Sequence, residues 1–190
     1  GVVIGSIVMA IVVIMFYFKG SFNFDKKAKF LKILAQIWVF LNAILVISAM
    51  LKNTEYVYYL GLTYKRLGVY AFLSLAIIGL IFTFIKVSKQ KTNAYLFNQM
   101  FWYVYGTILV CSFINWGGII TSHNLKREDF AANYHFNSVD FNDKQLLEYY
   151  QKTNNKEMYK ILKDKIIARQ NKSFLSKVLY DESISFNESE

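Results

Sequence analysis

The stretch LGVYAFLSLAIIGLIFTFI, Leu67 to Ile85, runs 19 positions without a charged residue. At 1.5 Å rise per helical residue, about 20 residues cross a hydrocarbon core of about 30 Å. Three further stretches share this character: Val2 to Phe18 is uncharged over 17 positions, Ile33 to Leu51 over 19 and Met100 to Ile120 over 21. Four such runs within 120 residues leave no amphipathic layer to cover them in water. In lipid each backbone N–H and C=O must find its partner inside its own segment, which selects helices, and the alternation of barrel strands is absent. The expected fold is all-α: a polytopic bundle of four spans at about 2–18, 30–51, 66–86 and 96–120, with a small helical hairpin outside the membrane at 125–190.

Composition points the same way. The chain of 190 residues is 55% apolar, 18% aromatic and 18% charged, with no proline and a net charge of +9. Residues 1–124 hold eleven Lys and Arg against only Asp25 and Glu55, whereas residues 125–190 hold eleven of each sign. The positive excess therefore lies in the apolar part, so nucleic acid is not an expected partner. Lys19, Lys26, Lys27, Lys29 and Lys32 in the first connection, with Lys86, Lys89 and Lys91 in the third, outnumber Lys52, Lys65, Arg66, Lys126 and Arg127 on the other side. By the positive-inside rule loops one and three are cytoplasmic and the tail periplasmic. Aromatic residues mark the span ends at Tyr17, Phe18, Tyr56, Tyr58, Tyr59, Tyr64, Tyr95 and Trp116. The segment Tyr56 to Leu60 is expected as an interfacial helix or hairpin turn, Thr63 as the cap of the third span, and Arg66 as a snorkelling side chain. Gly1 opens directly into an apolar segment, from which processing or further upstream sequence is expected.

The tail differs in kind. Leu125 to Phe141 reads as irregular. Asn142 with Gln145, and Asn154 with Glu157, open two amphipathic helices like capping boxes, giving an αα-hairpin. Phe174, Leu175, Val178, Leu179 and Tyr180 extend it, and Asp181 to Glu190 reads as a loose acidic end. So small a hairpin is expected to have little core of its own and to rest on another surface.

No constellation for catalysis stands out. The four apolar stretches, Val2 to Phe18, Ile33 to Leu51, Leu67 to Ile85 and Met100 to Ile120, lack Asp, Glu, His, Lys and Arg, which disfavours a proton relay. Their polar residues, Gln36, Asn42 and Asn115 foremost, are candidate contacts between helices. Gly1 with Gly5 and Ser6 with Ala10 form small-xxx-small pairs, and Gly117-Gly118 permits a bend or close backbone approach. Cys111 is a small apolar filler. His123 and His135, expected at a surface or a cap, have no companions for a metal site. Neither a cofactor nor a metal is expected, and there is no phosphate loop or nucleophile elbow.

At Gly61-Leu62-Thr63-Tyr64-Lys65-Arg66 the chain resembles an uncharacterised bacterial multipass membrane family, domain of unknown function 4173, related to 4153, whose members carry Gly-Leu-Thr-x-x-Arg at the head of a span. The similarity continues at Asn115, at Ile120-Thr121-Ser122-His123-Asn124, where the family tends to Ile-Ala-Arg-x-Asn, at Val139-Asp140-Phe141 and at Leu146-Leu147. It covers roughly residues 30 to 160. The family's Arg is replaced here, and its Asp-Ala-Val-Pro-like element is missing. The resemblance marks Gly61, Leu62, Thr63 and Arg66 as a structural motif and implies spans upstream.

The expected function is that of a non-enzymatic, integral inner-membrane protein, an accessory or scaffolding component whose helical tail docks. Its expected partners are membrane lipids and other membrane chains or further copies of itself. The alternatives are part of a permease or exporter with Gln36, Asn42 and Asn115 facing a cavity, and a membrane-embedded sensor.

Overall fold

The computed structural model describes residues 2–17, 29–172, 178–184 and 186. Among them every regular element is a helix. The chain divides into two compact units, Gly1–Ile114 and Asn115–Glu190.

The first unit holds α1 (Val2–Tyr17), α2 (Lys29–Leu60), α3 (Tyr64–Ser88) and α4 (Asn93–Phe113). Small and branched side chains, Ala35, Val39 and Val46 on α2 with Leu73, Ala76 and Leu80 on α3, let the two longest helices close on one another, and Ile14 of α1 joins them. Gly79 of α3 lies against Met100 and Ile11, at a spacing where a Cβ would make ordinary contact, 3.5 Å to the Met100 methyl and 3.6 Å to Ile11 Cδ1. Away from that seam the helices present oil. Phe40, Leu41, Ile81, Phe101, Trp102, Ile108 and Phe113 are all exposed. Only 22% of the most apolar window of α2 and 28% of that of α3 is buried within the protein. A helix apolar all round belongs in lipid or against other helices.

Several expectations change. Two helices, α2 and α3, are long and apolar enough to cross a membrane, or three spans if α4 and the helix after it count as one broken span. Helix α1 has 16 residues, about 24 Å, short of the core thickness; Phe18, Lys19, Lys26 and Lys27 lie outside the described residues. The segment Tyr56–Leu60 is neither hairpin nor separate helix but the last turns of α2, which reaches about 48 Å in 32 residues. The run Met100–Ile120 is not one helix: Ile114 turns extended (φ −93°, ψ 128°), and α5 (Trp116–Asn124) starts afresh behind Asn115. Lys86, counted with the loop, lies in the last turn of α3 and is buried.

The second unit contains α5, α6 (Ala132–Ser138), α7 (Asp143–Lys152), α8 (Lys156–Gln170) and α9 (Leu179–Glu182). The αα-hairpin is present as α7 and α8, but the stretch expected to be irregular contains α6, and the hairpin has a core of its own. Leu146, Leu147 and Tyr150 meet Leu162, Ile166 and Ile184, flanked by Phe130, Phe136, Met158 and Phe186. The expectation of a coreless tail overlooked α6 and the chain end, both of which fold over the hairpin. Asp181 and Ile184, expected to be loose, are buried; Phe174, Leu175 and residues 187–190 lie outside the described residues.

Candidate functional site

The Gly61–Arg66 motif is a turn built to reverse the chain in three residues. Gly61 takes φ 79°, the left-handed conformation in which a Cβ is costly, and its N–H bonds the Val57 carbonyl at 2.9 Å, ending α2. Leu62 is buried, and Thr63 caps α3, its hydroxyl accepting from Arg66 N–H at 3.4 Å. Arg66 reaches back past the start of α3, its Nη1 donating to the Gly61 carbonyl, while Asn53 Nδ2 donates to the Arg66 carbonyl at 3.1 Å. Each of the four motif residues therefore has a steric or hydrogen-bonding task in one turn.

Within the first unit Asn42 and Gln36 stand on different faces of α2. Asn42 is buried; its Nδ2 donates to the Trp38 carbonyl at 2.8 Å and its Oδ1 accepts from Ser6 at 3.5 Å, an α1–α2 contact. Ala10 of the same pair is fully buried, whereas Gly5 faces open space and Gly1 is outside the described residues. Gln36 is half-buried on α2, six positions and so about 120° around the helix from Asn42. Asn115 belongs to the second unit, where it caps α5.

The densest polar cluster of the second unit ties α5, α6 and α7. Asn115 Oδ1 accepts from Gly118 N–H at 2.9 Å and its Nδ2 donates to the Phe141 carbonyl at 2.8 Å. Gly118 is needed there, because a Cβ would lie 2.9 Å from Asn115 Nδ2 and 3.0 Å from Gln145 Nε2. One turn on, His135 is buried rather than at a surface, its ring 4.8 Å from Phe130. Asn124 Nδ2 donates to His135 Nε2 at 3.2 Å, which puts the ring proton on Nδ1, 2.9 Å from Thr121 Oγ1. Asn142, expected to cap α7, instead donates Nδ2 to Thr121 Oγ1 and to the His135 carbonyl, both at 2.9 Å. Burial pushes the imidazole below its usual value, so it stays neutral.

A second tie closes the other side. Arg169 Nη2 reaches Asp143 Oδ2 at 2.6 Å and Asp181 Oδ1 at 3.1 Å, and both carboxylates are buried. Gln170 Nε2 donates to the carbonyls of Asp181 at 2.6 Å and Ile184 at 3.0 Å, strapping the chain end onto the hairpin. The cap of α8 falls one residue later than expected: Asn155 accepts from Met158 N–H at 3.1 Å, and Asn154 takes φ 52° in the turn.

An open groove of about 450 Å³ lies along Asn115, Ile119, Ser122, His123, Lys126 and Gln145. His123 Nδ1 pairs with Asn124 Oδ1 at 3.4 Å. Among the described residues no three His, Cys, Asp or Glu converge as metal ligands. Asn115 and the Ile120–Asn124 stretch stand out in the sequence, His135 and Asn142 do so only in other roles, and Asp143 and Arg169 carry no signal, since they are 26 residues apart.

The chain is all-helical, two or three of its apolar helices could span a membrane, and a second unit folds beside them in sequence. The family model described as Domain of unknown function (DUF4153) matches residues 2–147, and the chain belongs to that family. No curated protein and no solved structure matches it.

Proposed function

We propose that this protein is a non-enzymatic integral component of a bacterial inner membrane that scaffolds a membrane complex, with its helical second unit as the docking part. The observation that carries the reading is α4: of its 21 residues only Leu96 is buried, while Phe97, Phe101, Trp102, Ile108, Val110 and Phe113 lie bare. Tyr103 and Tyr105 stand on the same helix, and their hydroxyls are better served by neighbouring helices than by acyl chains. Other membrane chains, or further copies of this one, are the partners such a helix calls for, with lipid on the remaining faces.

In this proposal α1 supplies a fourth span, loops one and three face the cytoplasm, and the second unit lies in the periplasm. Kinship with the 4173 family is supported by the Gly-Leu-Thr-x-x-Arg turn. A permease is less favoured, because Asn42 is engaged between α1 and α2 and Asn115 caps α5. Extraction in mild detergent followed by native mass spectrometry tests the scaffold: assemblies with a second chain are expected, and a lone monomer that co-purifies with nothing overturns it.

A further inference from the structure

The groove of about 450 Å³ lies wholly within the second unit, walled by α5 and by Gln145 of α7. Its volume falls in the range of small-molecule sites. Ile119, Ser122 and His123 recur at three- and four-residue spacing, so they share one face of α5, and Lys126 follows about a turn later. The wall therefore offers a hydroxyl, an imidazole and an ammonium beside an apolar patch. His123 turns Nδ1 to Asn124 Oδ1, which leaves Nε2 for a ligand. The described lining carries two basic side chains and no acid; Glu128 and Glu148, near in sequence, are not part of it, and Asp129 is held by Arg127. Gln145 differs from the rest. Its Oε1 is shielded from solvent and meets no donor among the described residues, whereas its Nε2 lies over Gly118, 3.0 Å from where a Cβ would stand. Buried polar atoms are nearly always paired, so an unmet acceptor in the wall of a groove is a place for a ligand's donor. The last torsion of a glutamine side chain is broad and two-fold, so a half-turn of the amide exchanges Oε1 with Nε2.

We propose that this groove binds a small, soluble phosphate monoester that carries a hydroxyl close to its phosphate. Lys126, Ser122 and His123 Nε2 take the phosphate oxygens, and the hydroxyl donates to Gln145 Oε1 once the amide has turned. A monoester carries a charge of about −1.5 to −2 at neutral pH. That matches a lysine joined by a histidine, the side chain that gains a proton near neutrality, whereas a diester brings one charge only. Because every wall residue belongs to Asn115–Glu190, the proposal stands apart from the membrane assignment of the first unit.

The chain has two histidines, His123 in the groove and His135 in the buried cluster, so imidazole NMR spectra of the full chain in detergent read ligand and fold together. At constant pH and ionic strength, glycerol phosphate should shift the His123 signals saturably. Inorganic phosphate, which lacks the neighbouring hydroxyl, should bind several-fold more weakly, and glycerol should not bind. Q145L should bring glycerol phosphate down to the level of inorganic phosphate, and K126Q should weaken both several-fold, with unchanged His135 signals showing that each variant is folded. The diester glycerophosphoglycerol, a lipid headgroup in soluble form, should also bind several-fold more weakly than the monoester. The comparison of ligands on the unaltered chain decides the matter even where a variant unfolds. His123 signals unmoved by glycerol phosphate overturn the proposal. So does equal binding of inorganic phosphate, which would reduce the groove to general attraction by cations, and so does equal binding of the diester, which would assign it to a lipid headgroup.

Discussion

Replacing Asn142 by alanine should loosen the second unit more than any surface change. Asn142 is 2% exposed, and its one amide nitrogen serves Thr121 Oγ1 and the His135 carbonyl, each at 2.9 Å. Truncation leaves two buried acceptors without this donor, at about 1–3 kcal/mol each. Thr121 Oγ1 keeps its bond to His135 Nδ1, so the lower half of the summed range applies, about 2–4 kcal/mol. The assay is a urea titration of the full chain in detergent, read by amide exchange in α5 and α7, which reports the second unit apart from the first. N142D is the stringent companion, because it keeps the shape but faces the His135 carbonyl with an acceptor and buries a carboxylate, and it should cost at least as much. A loss under about 0.5 kcal/mol, the range of an ordinary surface substitution, would refute the claim that this amide holds α5, α6 and α7 together.

Acid should weaken the same cluster. The folded-state pKa of His135 is depressed by burial, so the unfolded chain takes up the proton first; this contribution is complete above the unfolded value of about 6.5 and is lost as pH falls below it. Urea midpoints at neutral and mildly acidic pH check the sign, and H135Q should flatten that part of the profile. Asp129, held below the usual carboxylate range by its bonds to Arg127, acts only below about pH 4 and leaves that window clear. Gly118→Ala gains about 1 kcal/mol of helix propensity but crowds Asn115 and Gln145, so a net loss near 1 kcal/mol is expected, whereas Gly106→Ala, with open space around it, should be neutral or stabilising by thermal shift. Gly61→Ala should cost about 1 kcal/mol by forcing a Cβ into φ 79°, and R66A should add to it by freeing the Gly61 carbonyl, both read as loss of folded protein on heating in detergent.

What could be read from the sequence was what depends on neighbours along the chain. The apolar runs gave α3 nearly at its observed bounds and the start of α2, though not its last nine residues, and Thr63, followed by the start of a span, announced its cap. Gly117-Gly118 was rightly suspected of close approach, although the group that approaches is the Asn115–Gln145 pair. The rest depends on contacts across sequence. The break at Ile114 exists because the Asn115 side chain caps a new helix and bonds Phe141, and hydropathy has no term for that bond. His135 looked like a surface residue because it sits in a stretch read as irregular, yet Thr121, Asn124 and Asn142, from 7 to 14 positions away, are the groups that let it be buried. Asn142 and Gln145 matched a capping box, but the Asn142 side chain was already committed to Thr121 and His135. The tail seemed too small for a core because a linear reading does not count Ile184 and Phe130 as lids on the hairpin.

Lipid contact of the bare faces of α2 and α3 is tested most directly by single spin labels at F40C and I81C, in chain reconstituted into vesicles, through relaxation by oxygen, which collects in the acyl region, and by a water-soluble nickel chelate, which is excluded from it. High oxygen and low nickel contact at both sites, with the opposite for a label at K160C, is the expected result. Nickel contact at Phe40 or Ile81 equal to that at Lys160 would contradict it.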